Sequence, residues 1–210
     1  MTENIEVLTH SSIRIKGNKT MYIDPFRVPD APHDADVILI THDHFDHFSP
    51  EDIKRIIKAD TVLVVPEAMK ESASAIACDR VRTVVPGMSV EFDGFKAETV
   101  PAYNNGKPFH PKANGWVGYI IEIDGVRIYI AGDTDMTADN RVVKCDVAMV
   151  PIGGKYTMDA QEAAELVNII CPKIAIPTHY GSVAGGKEDE ITFCKLVDQG
   201  IKTEIKMQQY

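Results

Sequence analysis

Positive charge is scarce in this chain. Its 22 lysines and arginines stand against 31 aspartates and glutamates, for a net charge of −9. That balance excludes a general nucleic-acid or anionic-membrane surface, although bound dications would invert the field locally and admit an anionic small substrate. Cysteine is sparse as well. Cys78, Cys145, Cys171 and Cys194 are widely spaced, with no Cys-x-x-Cys pair, and read as buried thiols, not a disulfide framework or zinc knuckle. No apolar run approaches the roughly 18 residues that a membrane span needs. The N-terminal stretch MTENIEVLTH lacks the basic flank and apolar core of a secretory signal, so a cytoplasmic location is expected. With 210 residues, 44% of them hydrophobic, the chain suits one domain with a substantial core.

Against this plain background one stretch stands out. Thr41 to His47 reads THDHFDH and packs three histidines and two aspartates into seven residues. It follows Val37 to Ile40, a short apolar run typical of a strand covered on both faces. It precedes Ser49-Pro50-Glu51-Asp52, a helix start: serine caps, proline suits the first turn, and acids favour the positive end of the dipole.

Around it the chain alternates strands and helices. Ile5 to Ile15 reads as one alternating segment, with a turn at Gly17-Asn18 and a second strand over Met21 to Ile23. Further strands are expected over 61–65, 81–85, 89–92 and 95–100, with turns at Gly87 and Gly94, and a helix over 67–77. Pro101 to Gly115 is a polar loop. Val117 to Ile123 and Val126 to Ala131 form a hairpin around Asp124-Gly125. A strand at 147–150 leads to a helix capped by Asp159, with Glu162 three residues on. A strand at 174–176, a helix at about 188–199 and a final strand within Ile201 to Met207 complete the chain.

The two halves, about 1–105 and 115–210, repeat at a nearly constant offset. Asp24 pairs with Asp133, Asp36 with Asp146, and Pro66 with Pro177, each at an equivalent strand end. Two such units would stack their sheets with helices outside, giving a four-layer α-β-β-α sandwich within a single α/β domain. Strand ends from both halves would then meet at one edge.

That edge would carry a metal site. Imidazole and carboxylate suit zinc and related first-row ions. His42 and His44, two apart in an extended loop, point to the same side and can grip one ion. Asp46 and His47, at the turn into the helix, can face a second. Asp133, in Gly132-Asp133-Thr134, can bridge the two, and His179 can complete the second set. Two ions roughly 3.5–4 Å apart can hold a bridging hydroxide and clamp a leaving oxygen. Asp46 would orient or deprotonate the water. His10 is placed to line the pocket, whereas His33, in a proline-rich loop, reads as an ordinary surface residue. Gly153-Gly154 with Lys155 offers backbone donors and a cation to an anionic group.

With these residues the chain resembles the metallo-β-lactamase superfamily. His-x-His-x-Asp-His stands as His42, His44, Asp46 and His47; Gly-Asp-Thr as Gly132 to Thr134; and Pro-x-His-Tyr-Gly as Pro177, His179, Tyr180 and Gly181, with Tyr180 a candidate substrate contact. The resemblance covers nearly the whole chain. HSSIRI, YIDPF and PIGGKYTM look like the branch that includes L-ascorbate-6-phosphate lactonase-like proteins. The family implies a further histidine on the first ion. Here Pro101-Ala102-Tyr103 is followed by Asn104, and the only histidine in the interval is His110. His110 swings in as the ligand, or Asn104 or water fills the place; Asn104 is also a candidate substrate contact. An incomplete first site would leave one ion, or favour manganese or iron over zinc.

The expected function is a metal-dependent hydrolase, using a metal-bound hydroxide on a small ester-like substrate of the lactone or phosphodiester class. The alternatives are a non-catalytic metal-binding protein with a degraded first site and a nucleic-acid phosphodiesterase. A di-iron redox protein fits less well, since that branch typically has glutamate where His44 stands. No membrane partner is expected, and a homo-oligomer is compatible with the sequence.

Overall fold

The computed structural model describes residues 1–92 and 95–209; the turn expected at Gly94 lies outside them. The chain runs β1 (Ile5–Thr9), β2 (Ser12–Lys16), β3 (Thr20–Ile23), β4 (Ala35–Leu39), α1 (Pro50–Ile56), β5 (Ile57–Pro66), α2 (Lys70–Ala73), β6 (Arg80–Val84), β7 (Ser89–Phe92), β8 (Phe95–Pro101), β9 (Val117–Ile123), β10 (Val126–Ile130), β11 (Val147–Pro151), α3 (Ala160–Ile170), β12 (Ile174–Thr178), α4 (Lys187–Leu196), β13 (Lys202–Thr203) and β14 (Met207–Gln209). The strands form two seven-stranded sheets, ordered β14-β1-β2-β3-β4-β5-β6 and β13-β12-β11-β10-β9-β8-β7. In each, an antiparallel meander passes into parallel strands: β1-β2-β3 into β4-β5-β6, and β7-β8-β9-β10 into β11-β12-β13. The chain moves from the first sheet to the second between β6 and β7.

Strand periodicity sorts the core. In β4 and β5, Val37, Leu39, Val62 and Val64 face the space between the sheets, packed with Tyr119, Ile121 and Ile128 of the second sheet. The intervening Ile38, Leu63 and Val65 turn outward to meet Ile53 and Ile56 of α1 and Ala73 of α2. Residues two apart share a face, so a fully apolar strand must be covered on both sides. On the far side, Ala163, Leu166, Val167 and Ile170 of α3, with Phe193 of α4, cover the second sheet. The result is the expected α-β-β-α order. No helix of the described residues is long and apolar enough to cross a membrane.

The caps act as expected, with one change. Ser49 Oγ accepts from the Asp52 amide at 3.3 Å, and the Asp159 carboxylate from the Glu162 amide at 2.8 Å. Glu162 does not close a capping box; its carboxylate accepts from the Met136 amide at 2.8 Å instead.

Three local expectations are corrected. The segment Ile5 to Ile15 is two strands, because the chain reverses at His10-Ser11, where His10 takes a left-handed backbone (φ 53°). A turn that short leaves the apolar alternation nearly unbroken and so hides in it. The helix expected over 67–77 is a 3-10 turn followed by the four-residue α2. Its Ser74 hydroxyl bonds back to the Glu71 carbonyl, a competing local bond that weakens a polar helix. The last strand is split, β13 joining the second sheet and β14 the first. Glu204 lies between them, and its carboxylate accepts from Thr2 Oγ1 at 2.7 Å.

Candidate metal centre

The expected ligands lie just past strand carboxyl ends at one edge of the sandwich. His10 follows β1, His42 to His47 follow β4, Asp133 follows β10 and His179 follows β12, while His110 sits in the loop between β8 and β9. The turn that separates the ligands of the motif is visible in its backbone. The amides of His47 and Phe48 both donate to the His44 carbonyl, at 3.0 and 2.8 Å. This bends the chain after His44, while the ring of His47 stays 4.0 Å from that of His42.

Two ligand clusters result, joined by a third group. His42, His44 and His110 form one; Asp46, His47 and His179, with His10, form the other; His42, His47 and Asp133 link them, and the ligand atoms of each group lie within 4.8 Å of one another. Asp133 lies against both. Its Oδ2 is 2.9 Å from His179 Nε2, 3.3 Å from His110 Nε2 and 3.9 Å from His42 Nε2, and its Oδ1 is 3.2 Å from His47 Nε2. The Nε2 atoms of His42, His47, His110 and His179, and Asp133 Oδ1, are buried without a hydrogen-bond partner. Five such orphans in one place violate the rule that buried polar atoms are paired. Convergent unpaired imidazole nitrogens around a carboxylate are the donor set of a transition-metal site.

Three of the rings, those of His42, His47 and His110, are aimed from behind. Asp24 accepts from the Thr41 amide at 2.8 Å, from Thr41 Oγ1 at 2.7 Å and from His47 Nδ1 at 2.8 Å. With its hydroxyl proton directed at Asp24, Thr41 accepts from His42 Nδ1 at 2.9 Å. His110 Nδ1 donates to Asn104 Oδ1 at 2.9 Å. Asn104 in turn donates to Asp135 Oδ1 at 3.0 Å and to the Tyr156 carbonyl at 2.9 Å. In His42, His47 and His110 these bonds place the proton on Nδ1 and leave the Nε2 lone pair for a ligand-bound ion. Trp116 packs its ring about 5 Å from those of His42 and His44. His10 Nε2 donates to Asp46 Oδ2 at 3.1 Å, and its ring lies 3.8 Å from that of His179. Gly153 is required beside His179: a Cβ there would lie 2.4 Å from the His179 carbonyl oxygen and 2.9 Å from its Nδ1.

The electrostatics follow from this packing. Burial raises the Asp133 carboxyl, but His179 and His47 beside it overcome that and hold it well below the usual carboxylate range. Burial lowers His47, yet Asp133 and Asp24 outweigh it and push the ring well above its ordinary value. Burial, then His47, holds His42 well below its ordinary value. In Asp46, burial is outweighed by His10 and His47, leaving the carboxyl at about 2.

Residues 4–179 match the model of the beta-lactamase superfamily domain. The chain belongs to the metallo-β-lactamase superfamily.

Within the superfamily it is 35% identical to a UPF0173 metal-dependent hydrolase of Thermococcus onnurineus, over 96% of this chain and 94% of that one. It is 32% identical to another from Methanoregula boonei, over 83% and 81%. A crystal structure from Parabacteroides distasonis superposes with a TM-score of 0.82 at 31% identity, covering 97% of this chain and 93% of that one. Igni18, a metallo hydrolase of Ignicoccus hospitalis, shares the fold at a TM-score of 0.77 and 21% identity, covering 98% and 95%.

A cavity of about 240 Å³ opens over the two clusters of this superfamily member. Its floor is His44, Asp46, His110, Asp133 and His179; its wall is Phe45, Phe109, Tyr156 and Val183. Four residues expected to touch substrate are not among its lining. Tyr180 follows a strand-end histidine but points the opposite way, fully buried in the core, with its hydroxyl donating to Glu190 at 2.8 Å. His10 is fully buried under Asp46 and His179. Asn104 is turned to His110 and Asp135. Lys155 is exposed, its ammonium 5.0 Å from the centre of the Tyr156 ring. Sequence reading passed over the supports Thr41, Trp116 and Asp135. Asp24 carried a signal, its repeat pairing with Asp133, but that pairing indicated position, not the contact with His47.

Proposed function

We propose that this chain is a binuclear metal-dependent hydrolase, using zinc, of a small ester-like substrate in the lactone or phosphodiester class. The observation that carries the reading is the pair of ligand clusters sharing Asp133 beneath the cavity, with five buried donor atoms unpaired. His42, His44 and His110 would hold one ion, Asp46, His47 and His179 the other, and Asp133 would face both. Zinc lowers the pKa of a coordinated water to about 7 and polarises the oxygen of the scissile group.

The chain's own groups do the rest. Asp24, Thr41 and Asn104 fix the rings, so little reorganisation accompanies binding. Asp46, bonded to His10, would orient the water. The small cavity and net charge of −9 favour a small molecule over nucleic acid.

The test is metal analysis of protein purified without added metal, together with a panel of lactones and phosphodiesters. Two equivalents of zinc with turnover are expected. One equivalent with undiminished turnover would remove the binuclear form. Full metal loading with no turnover across the panel would favour a non-catalytic metal-binding protein.

A further inference from the structure

Resting on the hydrolase reading, we infer that the substrate is a carboxylic ester or lactone carrying a compact apolar group, aryl or short alkyl, held by the aromatic wall over the metal centre. Phe45 lies inside the ligand motif, between His44 and Asp46, yet its side chain is 67% exposed. An aromatic left in water at a cavity mouth is a binding surface in waiting. It is not loose. Phe26 meets it edge-on, with ring centres 5.9 Å apart. On the same wall Phe109 and Tyr156 meet edge-on at 4.8 Å, and Val183 completes the apolar lining. Fixed aromatic pairs offer area at little ordering cost.

Charge points the same way. Among the described residues that line the cavity there is no lysine or arginine. The nearby cations are engaged outside it. Arg27 lies over Phe26 at 4.9 Å and donates to Ser182, Lys155 lies over Tyr156, and Lys107 is held by Asp135 and the Thr157 carbonyl at 2.6 Å each. Beyond the ions themselves, a phosphodiester would meet no cationic side chain in the pocket to hold its charge, whereas a neutral ester needs none. The volume of about 240 Å³ is below the roughly 300–1,000 Å³ of sites for drug-sized ligands, which limits the apolar group to a ring or a short chain. The reaction is plain hydrolysis. Water oxygen bonds to the carbonyl carbon, the bond from that carbon to the ester oxygen breaks, and the departing oxygen takes a proton from the water, giving acid and alcohol.

The experiment compares γ-butyrolactone with its phenyl- and butyl-substituted forms, alongside bis(4-nitrophenyl) phosphate, on zinc-loaded protein. In parallel, calorimetry measures binding of the matching phenyl-substituted lactam to metal-free and zinc-loaded protein. We expect kcat/KM at least about tenfold higher for the substituted lactones than for the parent ring. That advantage should vanish in Phe45→Ala combined with Tyr156→Ala, two truncations at the open wall that leave the metal content unchanged. Lactam binding should weaken about tenfold in the same variant, with or without zinc. Equal turnover of parent and substituted rings, or the phosphodiester as best substrate, would overturn the inference while leaving the hydrolase reading intact. Wall-dependent lactam binding with no turnover of any ester would instead remove the hydrolase reading and keep the apolar pocket.

Discussion

His42 and His110 belong to the same ligand cluster but arrive there by different means. His42 stands three residues beyond a central strand, with its tautomer fixed by its own neighbour Thr41, and Thr41 fixed by Asp24. His110 sits in the middle of a loop from Ala102 to Trp116, tied to Asn104 by main-chain and side-chain bonds, and Asn104 is held in turn by groups remote in sequence. Asp135 alone holds Asn104, the Asn105 amide and Lys107. One ligand is delivered by backbone geometry, the other by a network of polar bonds. The first can move only with the sheet. The second depends on a few bonds of about 1 kcal/mol each, more where charged. The two ion positions should therefore differ in how easily they are disturbed.

The largest effect should come from the residue that ignores this division. Asp133→Ala removes the one carboxylate facing both clusters, and both metal content and turnover should fall below detection, as measured by elemental analysis and a lactone assay. His42→Ala should do nearly the same, because it also loosens the Thr41 and Asp24 bonds behind His47. Unchanged metal and turnover in both would refute the site. Next, His110→Ala should leave one equivalent of metal, held by Asp46, His47 and His179, with most turnover lost. Two equivalents retained would show that the loop histidine is no ligand and would break the comparison.

Removing the loop's support should cost less. Asn104→Ala and Asp135→Ala leave His110 in the chain but free its ring, so affinity at one ion position should fall by about ten- to hundredfold, read by competition with a chelator. The other position should be unchanged. Equal weakening of both would mean that the loop and the motif are one cooperative unit.

The same contrast explains what could be read in the sequence. The motif, Asp133 and His179 were legible because contiguous spacing and strand ends fix where side chains go. The sandwich was legible from apolar runs covered on both faces. Tyr180 is misleading in the sequence because adjacency to His179 does not mean shared direction: successive residues leaving a strand point opposite ways. Asn104 was recognised as standing in the family histidine's place, but its task was not, since the contacts that define it come from Asp135 and Tyr156. Bonds between residues dozens of positions apart leave no periodicity to detect. Trp116, packed on His42 and His44, is invisible for the same reason.

The smallest effect concerns the motif's own support and appears in metal-free protein. Burial, and after it the neighbouring His179, depresses the His10 ring to about 4 from an ordinary 6.5. The folded state therefore resists protonation that the unfolded chain accepts. Stability from this group is complete above about 6.5 and is lost as pH falls through 4, by on the order of 3 kcal/mol in total. Asp46, held at about 2 against an ordinary 3.8, adds a second loss only below that window. His10→Asn keeps a residue that tolerates the left-handed backbone and removes the titration, so denaturant midpoints of the variant should change less between pH 7 and pH 4.5 than those of the native chain. Asn104→Ala, by contrast, should leave that slope untouched, because His110 and its loop lie on the other cluster. An equal change of slope in both variants would mean that acid acts on the edge as a whole, and the division between strand-held and loop-held ligands would not extend to stability.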